Sequence, residues 1–332
     1  MKSPKTTKKA IDLTALRDLA VLDVQNEWFL ADLFDLTSDY HDLFSDICDV
    51  QDYNTVLSWC LHVLGESPSG RAMLKEAMEA DWKIGLEDLH GGEYCIDVER
   101  KVLLLDNNTL VPSALGRSSY FRNMTVVTLI KALRDVWQEK RHGAFDVYYR
   151  PEHIMTLERV RAADCAAVSI LVGWELRNEE HGAVWRHLIG SENGDMAMVY
   201  SGHLERDPSA RFSGRALAAA FKQWFKDEQR VNSCDHDTLE YLDDVLAESS
   251  VLNPFGKKKP GRMAVEVLSC LPDKTAYLQG MGAEIMADPL YCGMDDPINQ
   301  SHLFHILYDL EAVIVGDVPF RDADLARRIF PE

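Results

Sequence analysis

The stretch from Tyr120 to His142 constrains the fold more than any other part of the sequence. Its apolar residues recur at helical spacing, which predicts a single amphipathic helix with one buried side: Val126, Val127, Ile130, Leu133, Val136 and Trp137. A second stretch opens with Pro151 and Glu152 and runs to about Arg177 with the same apolar pattern. It predicts a second long helix next to the first.

Between Trp82 and Leu105 the apolar runs are short and separated by polar residues. Residues 93–97 and 101–105 are predicted to be two strands joined by a short polar turn. Further helices are predicted on both sides, and Asp235 or Asp237 is predicted to cap a helix that begins at Thr238. The expected fold is therefore α+β and predominantly helical. It has a small sheet beside the 120–142 helix, then a helical bundle and a helical C-terminal extension.

Composition limits the kinds of partner that this chain can bind. The 332 residues include 54 acidic and 35 basic side chains, which gives a formal net charge of −19. Such a surface repels phosphate backbones and anionic lipids, so we expect no nucleic acid partner and no membrane. The seven cysteines form no C-x-x-C pair, and most lie in apolar runs. That usage is typical of free thiols in a reducing compartment and favours a cytoplasmic location.

Four regions are predicted along the chain. Residues 1–10 are rich in Lys, Thr and Ser and are predicted to be a disordered tail. Residues 11–250 form the main domain, and residues 251–262 have the Pro, Gly, Ser and Lys composition of a linker. Residues 263–332 are expected to pack on the main domain as a helical extension, because about seventy residues alone make a marginal core.

The 120–142 helix has the frame of a zinc-binding helix without its ligands. Zinc peptidases carry H-E-x-x-H on a helix, with two His one turn apart to hold zinc and a Glu to act as base. The comparable positions here are Lys131, Ala132 and Asp135. Glycine-rich phosphate-binding motifs and the G-x-S-x-G nucleophile motif do not occur in the sequence.

The order of elements, the turn at 97–101 and the segment 161–166 of the second long helix resemble a known family. It is a family of bacterial domains of unknown function described as zincin-like metallopeptidases, and the resemblance covers about residues 55–180. In such proteins a helix of the form H-E-x-R-H-x-x-Q lies beside the sheet. The next helix supplies a third zinc ligand from an E-A-D-A-like segment. Arg134 and Gln138 match this pattern.

Carried over by position, the resemblance places Lys131 at the first His and Ala132 at the catalytic Glu. It places Asp135 at the second His and Ala162 at the third-ligand Glu. Zinc is the cofactor that the family implies, but a catalytic zinc needs three protein ligands and a polarised water. Here one candidate oxygen ligand is left on the first helix, and a methyl group replaces the base. We therefore expect neither a metal nor catalytic residues at these positions.

A salt bridge is one way for the protein to fill the place of the ion. Lys131 and Asp135 are four residues apart on one helix face, and Asp164 projects from the neighbouring helix. The Lys131 ammonium is therefore hypothesised to lie between these two carboxylates. The alternative is an ordinary exposed helix pair, worth about 0.3–0.5 kcal/mol.

The polar side chains that remain around these positions form a candidate cluster: Arg134, Asp135, Gln138, Glu139, His142 and Asp164. Because Asp135, Glu139 and His142 share one helix face, they are candidates for a rebuilt metal site with Asp164 or Glu158 from the facing helix. A hydrated charged face is the alternative. Four aromatic residues are predicted around the two central helices, either as core or as the lining of a cleft: Trp137, Tyr148, Tyr149 and Trp174.

The sequence favours a non-catalytic protein, either a pseudopeptidase or a scaffold. Such a protein would bind a peptide or protein partner through the cleft beneath the lost zinc site. Two alternatives stay open. One is an active metal-dependent hydrolase with a rebuilt site on the two long helices, which stoichiometric zinc or iron would favour. The other is a helical interaction module with no inherited site, which would be preferred if the sheet did not lie alongside the 120–142 helix.

Overall fold

The computed structural model describes residues 8–10, 27–35, 52–142, 148–177, 181–249, 253–310, 313–315, 318–320 and 328. Most of these residues are helical, and a five-stranded mixed sheet and a two-stranded hairpin account for the strands among them. The predicted fold class, α+β and predominantly helical, is therefore confirmed. Within the described ranges, no helix combines the length and the apolar character needed to cross a membrane.

The larger sheet has the spatial order β1-β4-β5-β3-β2, from the strands β1 (Lys8–Ala10), β2 (Trp28–Phe29), β3 (Lys83–Glu87), β4 (Tyr94–Asp97) and β5 (Val102–Asp106). β3 and β5 are parallel, and the other neighbouring strands are antiparallel. Val102 to Leu105 are all buried, so β5 is an apolar run covered on both faces. β4 and β5 form the hairpin predicted from the sequence, and Lys101 in its turn has a left-handed φ of 54°.

The described α-helices are, in chain order, α1 (Leu30–Asp35), α2 (Tyr53–Glu66), α3 (Pro68–Glu79), α4 (Pro112–Arg117), α5 (Ser119–His142), α6 (Pro151–Leu176), α7 (Gly182–Ile189), α8 (Gly194–Arg206), α9 (Arg215–Trp224), α10 (Glu228–Glu248), α11 (Arg262–Leu268), α12 (Gly282–Ile285), α13 (Pro289–Cys292) and α14 (Pro297–Leu310). The terminal hairpin pairs β6 (Val313–Val315) with β7 (Val318–Phe320). The two long helices predicted from the sequence are α5 and α6.

α5 and α6 pack side by side, and β4 and β5 lie against α5. α6 is buried around almost its whole circumference, as expected for a helix at the centre of a core. α7 approaches α6 closely at Gly173, where a Cβ atom would lie 2.2 Å from a methyl carbon of Leu188. Because the sheet does lie alongside α5, the arrangement that would favour a helical module with no inherited site is not found.

Residues 253–310, which follow α10, pack against the preceding helices. Leu268, Tyr277 and Tyr291 belong to the main hydrophobic core, which also contains the inner faces of α5 and α6. Phe255, within the segment that composition suggests is a linker, is buried in a smaller cluster with residues of α6, α10 and α14. In the same segment the Lys258 amide donates to the Tyr148 carbonyl at 3.0 Å. This segment is therefore attached to the rest of the protein by side-chain packing and by a backbone hydrogen bond.

Two local predictions differ from the structure. Lys8–Ala10 pair with β4 as strand β1, although residues 1–10 are predicted to be disordered, and residues 1–7 lie outside the described residues. The helix predicted to begin at Thr238 begins at Glu228, capped by Asp227. Asp235 is inside this helix and accepts two hydrogen bonds from the Arg159 guanidinium, at 2.5 and 2.7 Å. The sequence pattern could not show this pairing, because Arg159 is 76 residues from Asp235 along the chain.

Candidate functional site

A cleft of about 740 Å³ opens where α5, α6 and α10 meet the loop before β4. Three of the four positions carried over from the zinc motif line it, namely Lys131 and Asp135 of α5 and Ala162 of α6. The fourth, Ala132, is fully buried in the hydrophobic core. The two helices thus bring Lys131, Asp135 and Ala162 to one cleft, while Ala132 points into the core.

The Lys131 ammonium binds two carboxylates at the mouth of this cleft. Its Nζ lies 2.9 and 3.0 Å from the two carboxylate oxygens of Glu93, in the loop before β4. It lies 3.6 Å from Glu192, in the loop between α7 and α8. Burial alone would lower the pKa of Lys131, but the Glu93 and Glu192 carboxylates outweigh it and hold the pKa above its ordinary value. Lys131 is therefore charged and ties two loops together.

The hypothesis that Lys131 lies between Asp135 and Asp164 is wrong. Asp135 and Asp164 each have an arginine partner, and the Lys131 side chain extends to the cleft mouth instead. Helical spacing places Lys131 and Asp135 on one face. It does not place the end of a flexible four-carbon side chain, which follows the carboxylates that the tertiary structure brings near.

Arg161 supplies the cation that Asp135 needs. Its guanidinium donates to the Asp135 carboxylate and, at 3.1 Å, to the Asp135 carbonyl. It also donates to the Glu139 carboxylate at 3.0 Å. Burial opposes the charge on Arg161, but the Asp135, Glu158 and Glu139 carboxylates raise its pKa above the ordinary arginine value. Arg161 is immediately before Ala162, so a positive charge lies beside the position that the resemblance assigns to the third ligand.

Arg134 and Asp164 form a second pair, enclosed between the same two helices. The guanidinium donates to the Asp164 carboxylate at 2.6 and 3.2 Å, and neither side chain is exposed at all. Arg134 also donates to the carbonyls of Leu268 and Cys270, at 3.0 and 3.1 Å. Asp164 accepts further bonds from Gln138 and from the Tyr277 hydroxyl. This cluster therefore fastens residues 268–277 to α5 and α6.

His142 is half-buried at the end of α5. Burial lowers its pKa, and the positive charges of Arg161, Arg134 and Arg141 lower it further. The imidazole is therefore neutral over more of the pH range than an exposed histidine. A cation placed near His142 would meet the same three guanidinium groups.

The donor set does not fit a metal ion. At the positions where the family implies zinc ligands the chain has an ammonium, a carboxylate bound to Arg161 and a methyl group. The candidate rebuilt set fits no better, because Arg161 holds Asp135 and Glu139 while Arg134 holds Asp164. Across the described ranges no group of three or more His, Cys, Asp or Glu residues has the arrangement to bind a metal.

Core and cleft lining are both open from the sequence for the four aromatic residues, and none of the four is among the residues that line this cleft. Trp137 packs in the core with Arg141 over its ring, and Trp174 packs against Trp185 and Tyr200. Tyr148 is mostly exposed, and Tyr149 packs at the edge of both hydrophobic clusters. The aromatic rings that do line the cleft are those of Tyr94, Trp224 and Tyr241. They come from β4, α9 and α10, so proximity to the long helices along the chain did not identify them.

Other residues of the cleft were also missed at the sequence level. Glu93 and Glu192 are in loops far from α5 along the chain, and no motif marks them. Arg161 is in the segment that carries the resemblance, and its spacing to the carboxylates of α5 becomes meaningful only once α5 and α6 are paired. The signal available in the sequence is the set of charged residues on the two helices that have no oppositely charged neighbour on their own helix.

The fold is α+β and predominantly helical, and the cleft opens between its two long helices and α10. Residues 61–278 match a family model described as "Putative metallopeptidase family (DUF6782)", and because the match covers more than half of the chain, the chain belongs to this family. The matched range contains β3 to β5, both long helices and Tyr277. No curated protein matches the chain, and no solved structure matches it.

Proposed function

We propose that this family member is a non-catalytic protein that binds a peptide or protein segment in the cleft between α5, α6 and α10. The observation that carries the proposal is the Lys131 ammonium bound to Glu93 and Glu192 at the family's first ligand position. A positive charge there, with the Arg161 guanidinium one residue before Ala162, repels the ion on which the family chemistry depends.

The side chains at the remaining motif positions cannot replace that chemistry. Hydrolysis by a metal-bound water requires a base to accept its proton, and Ala132 supplies a methyl group enclosed in the core. Arg161 is permanently protonated and therefore cannot accept a proton at neutral pH. The local groups hold charge and position, which serves binding rather than bond cleavage.

The cleft itself supports a binding role. Its volume of about 740 Å³ lies within the range of ligand sites, roughly 300–1,000 Å³. Apolar groups of Tyr94, Ala162, Ala166 and Trp224 contribute to its walls, beside polar groups at the mouth. An extended peptide segment suits this combination, because its side chains can enter the apolar part while its backbone meets polar groups.

The test selects peptides from a displayed random library on the full wild-type chain. Their binding is then measured to three forms of the full chain, namely the wild type and two variants. Ala162→Trp places a large ring in the cleft, and Ala219→Trp places the same ring in a separate groove between α8 and α9. Peptides selected by the wild type are expected to bind Ala219→Trp unchanged and Ala162→Trp at least about tenfold more weakly. Circular dichroism checks that both variants fold, and Ala162→Gln replaces Ala162→Trp if the latter does not.

Equal binding of the selected peptides to Ala162→Trp and to the wild type would overturn the proposal. So would a metal-dependent activity. Metal analysis of the purified chain and a casein-cleavage assay are expected to give no stoichiometric zinc or iron and no hydrolysis. Stoichiometric metal that is lost on Asp135→Asn, together with cleavage, would establish the rebuilt hydrolase site instead.

A further inference from the structure

The cations that line the cleft are more enclosed than the carboxylates at its mouth. Its three cations are largely enclosed: the side chains of Lys131, Arg161 and Arg230 are 12%, 5% and 8% exposed. Glu93, Glu192 and Asp227 at the mouth are 47%, 65% and 40% exposed. A ligand that approaches from solvent therefore meets carboxylates first.

Each enclosed cation already has carboxylate partners from this chain. Arg161 binds Asp135 and Glu139, and Arg230 donates two hydrogen bonds to Asp195 at 3.0 and 2.6 Å. Among the described residues that line the cleft, six carboxylates face three cations, so the lining carries a net charge of −3. The six are Glu93, Asp135, Glu158, Glu192, Asp227 and Asp237. Low-dielectric walls focus such a field into the opening.

We propose that the partner segment is cationic and places a lysine or arginine side chain at the Glu93–Glu192 mouth of the cleft. This rests on the proposed binding function and names the chemistry of its ligand. Lys131 shows that these carboxylates can hold an ammonium, since its Nζ is bound between them. Both carboxylates remain substantially exposed while doing so, and a carboxylate can accept several hydrogen bonds at once.

The apolar walls suit the rest of such a side chain. Lysine and arginine bury their methylene stems along apolar surface while the charged end stays among polar groups. Tyr94 and Trp224 are buried ring systems of the wall, and the small side chains of Ala162 and Ala166 also line the cleft. A short acidic side chain would gain little of this contact and would be repelled at the mouth.

A second groove on the molecule has the opposite character. It is lined by Arg206, Lys222 and Lys226 together with His203, and Glu205 is its one carboxylate among the described residues. An anionic peptide is expected to prefer this groove. The two surfaces therefore provide an internal comparison within one acidic protein.

The experiment measures the affinity of two fluorescein-labelled peptides of equal length, one alternating lysine and alanine and the other alternating glutamate and alanine. Fluorescence anisotropy is recorded with the full chain, with Glu192→Lys and with the matched control Glu205→Lys. Both variants change the net charge of the protein by the same amount, so non-specific attraction changes equally in the two. The lysine peptide is expected to bind the wild type and Glu205→Lys alike, and Glu192→Lys about tenfold more weakly.

Each other outcome has a distinct meaning. Equal loss of lysine-peptide binding in both variants shows attraction to overall charge only and overturns the proposal. Preference of the cleft for the glutamate peptide, or for library peptides without basic residues, overturns the cationic class but leaves the binding function standing. Failure of every library peptide to depend on Ala162 overturns both the proposed function and this inference.

Discussion

Arg134 and Arg161 both bridge α5 and α6, but they do so in opposite directions and in different surroundings. Arg134 of α5 reaches Asp164 of α6, inside a cluster closed by residues 268–277. Arg161 of α6 reaches Asp135 of α5, at the wall of an open cleft. The closed cluster stabilises the packing of α5, α6 and residues 268–277, whereas the open cluster leaves charged groups within reach of a ligand.

The largest effect is expected from Asp164→Ala, which leaves the Arg134 guanidinium buried without its carboxylate. Removing one partner of a buried ion pair costs about 3–5 kcal/mol. The free energy of unfolding in urea measures this loss. The double variant Arg134→Met, Asp164→Leu is expected to regain much of it, because no charge is then left enclosed. A loss below about 1 kcal/mol for Asp164→Ala would show that the cluster does not stabilise this packing.

A smaller effect is expected from Arg161→Ala at the open cluster. Asp135 and Glu139 lose charged hydrogen bonds, but water can enter from the cleft, so the expected cost is about 1–3 kcal/mol. Arg161→Lys keeps the charge without the planar fork and is expected to recover part of the loss. Urea unfolding under the same conditions as for Asp164→Ala gives the comparison. A cost equal to that of Asp164→Ala would mean that the two clusters are enclosed alike.

Lys131→Met is expected to change stability by less than about 1 kcal/mol, because its partners Glu93 and Glu192 are solvent-exposed. The sign of its pH dependence follows from the raised pKa of Lys131. The contribution is present below the pKa of the unfolded chain, about 10.4. It is lost as pH rises through the folded-state pKa. Urea unfolding of wild type and variant should therefore differ at about pH 8 and converge in strong alkali. A difference that grows in alkali would contradict this assignment.

The smallest effect concerns His142, whose pKa is lowered by burial and by the nearby arginines. A lowered folded-state pKa means that the unfolded chain takes up the proton first as pH falls. Stability should therefore decrease as pH drops below about 6.5, until the folded-state pKa is passed. His142→Gln should remove that part of the decrease, as measured by thermal unfolding at a series of pH values. His62→Gln is the control, and an equal change in both variants would argue against a special role for His142.

Much of the fold was predictable because local patterns decide it. The apolar spacing of Val126 to Trp137 requires a helix with one buried side, and the run from Val102 to Leu105 suits a strand covered on both faces. The hairpin turn and the lengths of α5 and α6 followed from the same kind of reading. The cleft position was predictable only through the resemblance, which placed Lys131, Asp135 and Ala162 together.

The partners of the charged residues were not predictable in the same way. Lys131 is 38 residues from Glu93 along the chain, and Arg159 is 76 residues from Asp235. Asp235 was taken for a cap because a lone acidic residue near a helical pattern most often serves that end. Long flexible side chains choose among whatever carboxylates the packing brings within reach, and that choice has no local signal.

By itself, the sequence determined that positions 131, 132, 135 and 162, to which the resemblance assigns the zinc motif, carry an amine, a methyl group, a carboxylate and a second methyl group. These are facts of covalent chemistry that no folding can alter. Only the tertiary structure decided which arginine neutralises which carboxylate, which cluster is sealed and which borders the cleft. The physical reason is that ion pairing between distant residues depends on the distance between side-chain ends and on solvent access. Both are set when α5, α6, α10 and the loops around Glu93 and Glu192 come together.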